Sequence, residues 1–253
     1  MTLHWETLGQ GRDIVLLHGW GMNSGVWEPL LPFVTENFRV TLIELPGHGG
    51  SPFNNEQTLN SWARACLAVA PNRASWVGWS LGGLLAIEAA QIEPEKFNTL
   101  CLVSSSPCFC KRDDWESALE KEAIEDFAKN FYINPKKALK RFLSLQVKGV
   151  KNSQSTLRLI NETLALRPSP KIEALETGLQ ILMQSDLREK LSNSNIPINF
   201  LLGERDTIVP IDLARKIKTL LPTATMQIVN QAGHAPILSH LKESSEWLVA
   251  NCG

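Results

Sequence analysis

A chain of 253 residues, 43% of them apolar, is long enough for one large domain with a packed core. Its formal net charge of −1 offers no global field for nucleic acid, so charge-based partner recognition must come from a local patch. The five cysteines (Cys66, Cys101, Cys108, Cys110 and Cys252) follow no disulfide framework or zinc-ligand spacing, and no run approaches the ~20 apolar residues of a membrane span.

The opening residues, Met1 to Glu6, lack a basic region followed by an apolar run, so no secretory signal is expected and a reducing cytosol fits. His4 falls in an N-terminal strand region with no motif around it. Six short runs rich in Val, Ile and Leu then read as strands: Ile14–Leu17, Arg39–Leu45, Ser75–Gly78, Thr99–Ser104, Ile198–Gly203 and Thr225–Val229. Several do not alternate polar with apolar, which suits strands covered on both faces. Helical stretches such as Leu81–Gln91 and Leu213–Leu220 lie between them, and this alternation predicts a mostly parallel sheet flanked by helices. The pattern breaks between Cys110 and Gln184, where charged helical segments (Trp115–Asn130, Lys136–Gln146, Gln154–Leu164, Ile172–Met183) occur without a strand. A helical cap over residues 110–184, inserted into an α/β core of residues 1–109 and 185–253, is the simplest organisation.

Gly78-Trp79-Ser80-Leu81-Gly82-Gly83 carries the clearest chemistry. It is G-x-S-x-G directly after an apolar strand and directly before a helix, the context of a nucleophile elbow. Such a turn is too tight for side chains at the flanking positions, and it presents the serine hydroxyl at a helix N-terminus. A serine nucleophile needs a base. His234, in the Gly-containing loop Gln231–Pro236 after the last strand, stands where a Ser…Asp…His order requires it. His240 falls in the following helix and reads as a surface or packing residue. The acid that orients the base should leave an earlier strand, and Asp206 follows Gly203 by three residues. Glu204 competes for that role, while Asp212 reads as the start of the next helix. Two backbone donors must hold the oxyanion. The N–H of Leu81 is one, and the N–H of Trp20, in His18-Gly19-Trp20-Gly21 after the first apolar run, is the other. His18 then reads as a scaffold residue and His48, in Leu45-Pro46-Gly47-His48-Gly49, as a turn residue.

These motifs at both ends of the chain resemble the α/β-hydrolase superfamily. Finer features narrow the resemblance: Trp20 and Trp79 beside the two motifs, Ser104-Ser105-Ser106-Pro107-Cys108-Phe109 after the fourth predicted strand, Arg141-Phe142-Leu143-Ser144-Leu145-Gln146, and Ala232-Gly233-His234-Ala235-Pro236. Over nearly the full chain they are similar to the pimeloyl-[acyl-carrier protein] methyl ester esterases of biotin synthesis. The resemblance implies cleavage of the methyl ester of a pimeloyl chain carried on acyl carrier protein, with no metal and no cofactor. Trp20, Trp79, Leu81, Phe142 and Leu145 would supply an apolar wall for the acyl chain. Among the cap's cations (Lys136, Lys137, Lys140, Arg141, Lys148, Lys151 and Arg158), the resemblance points to Lys137, Arg141 and Arg158 for docking the acidic carrier. Glu44 stands where the superfamily usually has Asp, and Gln154 where a further Arg would be expected. A cytoplasmic monomer with no nucleic-acid or membrane partner is the expectation. The rival functions are a general short-chain carboxylesterase or C–C hydrolase on small free substrates, and a low-turnover ligand-binding protein that reuses the fold.

Overall fold

The computed structural model of the chain describes residues 2–54 and 58–253. Seven strands form one sheet: β1 (Trp5–Gly9), β2 (Arg12–Leu17), β3 (Phe38–Ile43), β4 (Ala74–Trp79), β5 (Phe97–Val103), β6 (Ile198–Gly203) and β7 (Thr225–Val229). They lie in the order β1-β3-β2-β4-β5-β6-β7, parallel throughout except for the antiparallel pairing of β1 with β3. The six strands that follow β1 match the apolar runs of the sequence to within two residues at either end. Edge strand β1 is mostly exposed and so carries no apolar run to announce it.

The helices are α1 (Leu31–Val34), α2 (Leu59–Val69), α3 (Leu81–Ile92), α4 (Lys121–Ile133), α5 (Pro135–Gln146), α6 (Ser153–Leu164), α7 (Ile172–Gln184), α8 (Arg188–Ser192), α9 (Leu213–Leu220), α10 (Pro236–Ser239) and α11 (Leu241–Asn251). Strand side chains alternate between the two faces of a sheet, and each face has its own core here. Val15, Leu17, Trp76, Leu100 and Leu102 pack with Trp62 of α2 and Leu84 and Leu85 of α3. Ile14, Leu16, Val77, Cys101 and Val103 pack with Leu31 and Val34 of α1 and Trp247 and Leu248 of α11. Burial on both faces is why the inner strands read as continuous apolar runs.

Strands β5 and β6 are neighbours, so the whole excursion from Ser104 to Pro197 leaves and rejoins the sheet at adjacent strands. Helices α4–α8 fill it, and α4, α5 and α7 line a cavity with Ser80 after β4 and Thr207 and Ile208 after β6. The helix expected from Trp115 begins only at Lys121. The preceding segment folds back on itself instead, with bridges between Cys110 and Leu119 and between Arg112 and Trp115. The Trp115 indole donates to the Cys108 carbonyl at 3.1 Å and carries the Arg188 guanidinium over its ring, contacts a helix there would break. Among the described residues no helix is long and apolar enough to cross a membrane.

Candidate active site

Strand β4 ends at Trp79 and α3 begins at Leu81, so Ser80 alone turns the chain. It does so at φ 54° and ψ −116°, where a non-glycine backbone costs on the order of 1–3 kcal/mol. Neighbouring strands hold that conformation. The Ser80 amide donates to the Val103 carbonyl at 3.0 Å, and the Ser80 carbonyl accepts from the Gly83 amide (2.9 Å) and the Ser105 hydroxyl (2.8 Å). A Cβ at Gly78 would collide with the Gly82 carbonyl, and one at Gly82 with the Leu17 carbonyl, so the flanking glycines are sterically required.

His234 lies beyond β7 in a turn that passes through Gln231 at φ 58°. Its Nδ1 is 2.8 Å from Asp206 Oδ2, and both side chains are fully buried. Asp206 Oδ1 accepts from the amides of Ile208 (2.8 Å) and Val209 (2.9 Å), so the carboxylate is fixed at both oxygens. An ionised carboxylate can only accept, so the Nδ1 proton faces Asp206, and in the neutral ring Nε2 keeps its lone pair. Among the described residues Nε2 is buried with no hydrogen-bond partner. Glu204, the competing acid, accepts instead from the Gln231 amide at 2.8 Å, and His240 Nδ1 pairs with Ser239 Oγ. Residues at the end of α5 also brace this loop pair: the His234 amide donates to the Gln146 carbonyl (3.1 Å), and Arg205 Nη1 donates to the Gly149 carbonyl (2.8 Å).

The His18–Gly21 loop closes on Ser80 from the end of β2. A Cβ at Gly19 would lie 3.3 Å from Ser80 Cβ. Among the described residues neither the Trp20 nor the Leu81 amide donates to a protein acceptor, which leaves both N–H groups free for an anion. His18 Nδ1 donates to the Gly19 carbonyl (2.9 Å), and its Nε2 accepts from the Leu45 amide (3.1 Å). Glu44, where Asp is usual, takes the Ser24 amide (3.1 Å) and hydroxyl (2.7 Å). Burial alone would raise its carboxyl, but the adjacent His18 ring and the Ser24 donors bring it down to about 2. His48 is fully buried, its ring centroid 5.2 Å from that of His18. Burial, aided by His18, pushes its imidazole down to about 3, so it is a neutral packing residue. All five cysteines are free and buried, and burial raises the Cys66 thiol to about 12. No three His, Cys, Asp or Glu side chains among the described residues come together as a metal site.

Ser80 lines the inner end of a cavity of about 390 Å³ between the sheet and α4, α5 and α7. Its walls are Trp20, Phe109, Ile124, Phe127, Phe142, Leu145, Leu179, Leu182 and Ile208, and exposed Asp126, Asn130, Arg141, Lys148 and Thr207 mark its mouth. The Trp20 indole donates to the Leu175 carbonyl at 2.8 Å and packs edge-on against Phe127, Phe131 and Phe142. Trp20, Phe142 and Leu145 are therefore on the expected wall, but Trp79 and Leu81 are not. The Trp79 side chain turns into the core beneath the site, where its indole donates to the His234 carbonyl at 2.8 Å. Leu81, the first residue of α3, is fully buried in the core, where a Cβ at Gly178 of α7 would lie 3.2 Å from its Cδ2. Phe127, Leu179 and Leu182 are wall residues that the sequence reading does not single out, although α4 and α7 carry apolar residues at helical spacing. Nothing local in the sequence tells a residue facing a cavity from one facing a core. Of the three docking candidates Arg141 lines the mouth, while Lys137 and Arg158 are exposed on α5 and α6.

Residues 14–241 match the family model described as the alpha/beta hydrolase fold. The chain is 38% identical over 242 residues to a protein of Serratia marcescens named pimeloyl-[acyl-carrier protein] methyl ester esterase, covering 95% of this chain and 94% of that one. It is 39% identical over 240 residues to a protein of the same name from Methylococcus capsulatus, covering 95% and 94%. Among solved structures it superposes on a bromoperoxidase from Bacillus anthracis (TM-score 0.88, 19% identity, 98% and 94% covered). An esterase from Exiguobacterium antarcticum fits as well (TM-score 0.87, 19% identity, 98% and 94% covered), and these two likenesses speak for the fold alone. The chain belongs to the alpha/beta hydrolase fold family and, within it, to the family of the pimeloyl-[acyl-carrier protein] methyl ester esterases.

Proposed function

We propose that this chain is a serine esterase that removes the methyl group from a pimeloyl chain carried on acyl carrier protein, releasing methanol and the free carboxylate during biotin synthesis. Two observations support it above others: a strained serine lines an apolar cavity, and a buried histidine in the loop after β7 has its Nδ1 2.8 Å from a carboxylate and its Nε2 without a hydrogen-bond partner among the described residues. The names of relatives 38% and 39% identical supply the substrate.

His234 Nε2 takes the Ser80 hydroxyl proton as Oγ attacks the ester carbonyl carbon. The tetrahedral oxyanion is stabilised by the N–H groups of Trp20 and Leu81, each such donor being worth roughly 10²–10³ in rate. Asp206 stabilises the imidazolium that forms. Collapse expels methoxide, which leaves as methanol with the proton from Nε2. Water then gives a proton to Nε2 and attacks the acyl carbon, and a second collapse frees the carboxyl and restores Ser80. No metal or organic cofactor enters this scheme.

Residues 110–184 act in this scheme as a cap. Its apolar face, with Trp20, Phe142 and Leu145, takes the acyl chain, while Lys137, Arg141 and Arg158 meet the acidic carrier. Of the acids in the cap, Glu120 pairs with Lys111, Glu125 with Lys121 and Asp126 with Lys129. The decisive measurement compares hydrolysis of pimeloyl-carrier methyl ester with that of the free methyl ester. A clear kcat/KM preference for the carrier-bound ester is expected, together with labelling of Ser80 by a fluorophosphonate. Equal or better turnover of small esters would favour a general esterase, and an unlabelled serine a ligand-binding protein.

A further inference from the structure

The elbow between α4 and α5 carries an apolar tip. Ile133, the last residue of α4, is 82% exposed and its neighbour Tyr132 is 54% exposed. The preceding residue, Phe131, is fully buried and packs edge-on against Trp20 of the cavity wall, so the tip is mounted directly on that wall. The mount is rigid as well. Asn134 alone joins the two helices; its amide donates to the Asn130 carbonyl (3.0 Å) and its side chain accepts from the Lys137 amide (3.0 Å). Asn130 itself stands at the cavity mouth.

A lone exposed isoleucine is ordinary. Its surroundings make this one informative. Between Asp126 and Glu162 the chain carries eight Lys and Arg and no Asp or Glu, in a protein whose net charge is −1. Lys136, Lys137, Lys140 and Arg141 follow the tip directly, and none of them forms an ion pair among the described residues. An apolar, aromatic-containing anchor beside unpaired charge of one sign is the composition of a protein-docking patch, in which the anchor contributes affinity and the charges steer.

We infer that Tyr132 and Ile133 are the apolar anchor of the carrier-docking surface: an acidic carrier protein lays an apolar side chain on this tip while its carboxylates meet the cations of α5. The inference rests on the proposed carrier-bound substrate and adds a contact that charge alone does not supply. Screening separates the two contributions, because exposed charge pairs fade beyond about 10 Å at 0.1 M salt whereas apolar burial does not.

The test uses the full-length enzyme, its Ile133→Ser variant and the Tyr132→Ser/Ile133→Ser pair, with pimeloyl-carrier methyl ester and a free methyl ester as substrates. Partial burial of one isoleucine predicts a KM for the carrier-bound ester raised about tenfold in Ile133→Ser, and further in the pair. Neither kcat nor turnover of the free ester should change, which also reports an intact fold. The ratio of variant to wild-type KM should persist at roughly 0.5 M salt, while both absolute values rise. Unchanged KM for the carrier-bound ester in the pair, with the wild type active on it, overturns the anchor and leaves the esterase reading standing. A ratio that vanishes in salt overturns the apolar character of the contact. A wild-type enzyme inactive on the carrier-bound ester removes the occupant and the proposed function together.

Discussion

On the sheet side of the cavity, Ser80, Asp206 and His234 are 3%, 7% and 1% exposed, and hydrogen bonds from the strand ends and loops hold each in place. On the helical side, α5 and α6 turn Lys137, Arg141 and Arg158 to solvent without ion pairs among the described residues, above a wall of apolar side chains. The proton relay proposed for Ser80, Asp206 and His234 depends on geometry at the level of tenths of an ångström, which burial and the hydrogen bonds to the Asp206 carboxylate serve. Capture of a large charged partner depends on a field that acts through water, which rigid placement does little to improve. The two sides meet at the end of α5, where the carbonyls of Gln146 and Gly149 accept from the base loop and the acid loop. The helix that carries Arg141, a proposed docking cation, thus also braces the loops of the proposed base and acid.

The division predicts that a change on the sheet side alters turnover of every ester alike, and the largest such effect belongs to Ser80. Ser80→Ala should fold normally and lose kcat by roughly 10⁶, the scale of nucleophile removal in serine hydrolases. Turnover of both carrier-bound and small esters by that variant, measured after fluorophosphonate treatment to silence any wild-type contaminant, checks it. Activity near the wild-type level would end the serine mechanism.

Asp206→Asn comes next. The amide can present its NH₂ to the ring and favour the wrong tautomer, so a fall in kcat of up to ~10⁴ is expected for all substrates. Glu204→Gln should change kcat by no more than a few-fold, since Glu204 binds the Gln231 amide and not the ring. A pattern in which Glu204→Gln is the damaging change would reassign the acid.

A change on the helical side should separate the substrates. Reversing Lys137, Arg141 and Arg158 to Glu should raise KM for the carrier-bound ester roughly 10- to 100-fold at low salt, at about 0.5–1 kcal/mol for each exposed charge pair broken or made repulsive. Hydrolysis of p-nitrophenyl acetate should stay nearly constant. Equal losses on both substrates would mean that the bracing of His234 by α5 had been disturbed.

The same contrast explains what can be read from the sequence. The proposed nucleophile, base and acid stand out in the sequence because each sits in a short loop directly after a strand, where tight backbone geometry restricts residue choice: Gly78 and Gly82 around Ser80, Gly203 before Asp206, Gly233 before His234. The inner strands are legible because burial on both faces leaves them uniformly apolar. The cavity wall is legible only in part. Trp79 looks like a wall residue by its place in the elbow motif, yet strand alternation sends its ring into the core under His234. Phe127, Leu179 and Leu182 look like core residues and face the cavity. The links from Arg205 to Gly149 and from His234 to Gln146 join residues too distant in sequence for any local pattern to reveal.

The smallest effect concerns pH and stability. His48 sits in the sheet-side scaffold, facing His18 and Trp62, with Glu44 close enough to act on its charge. Its Nδ1 donates to the Pro46 carbonyl at 3.0 Å, and its Nε2 is buried without a partner among the described residues. Burial holds the folded pKa at about 3 against 6.5 for the free ring. The unfolded chain therefore binds more protons than the folded one between these values. This contribution is fully present above about pH 6.5 and is lost as pH falls, by about 1.4 kcal/mol per pH unit, until the folded ring itself protonates at about 3. His48→Gln keeps a donor for the Pro46 carbonyl but cannot titrate. It should lower Tm at about pH 7 yet flatten the decline of Tm between roughly pH 6 and 4.5, measured side by side with the wild type. Mild acid should therefore act on the fold through this scaffold residue. Added salt at neutral pH should do the reverse, raising KM for the carrier-bound ester with little change in Tm. If the acid limb were equally steep in His48→Gln, another buried group would have to carry it, and the assignment of acid sensitivity to this side of the cavity would be withdrawn.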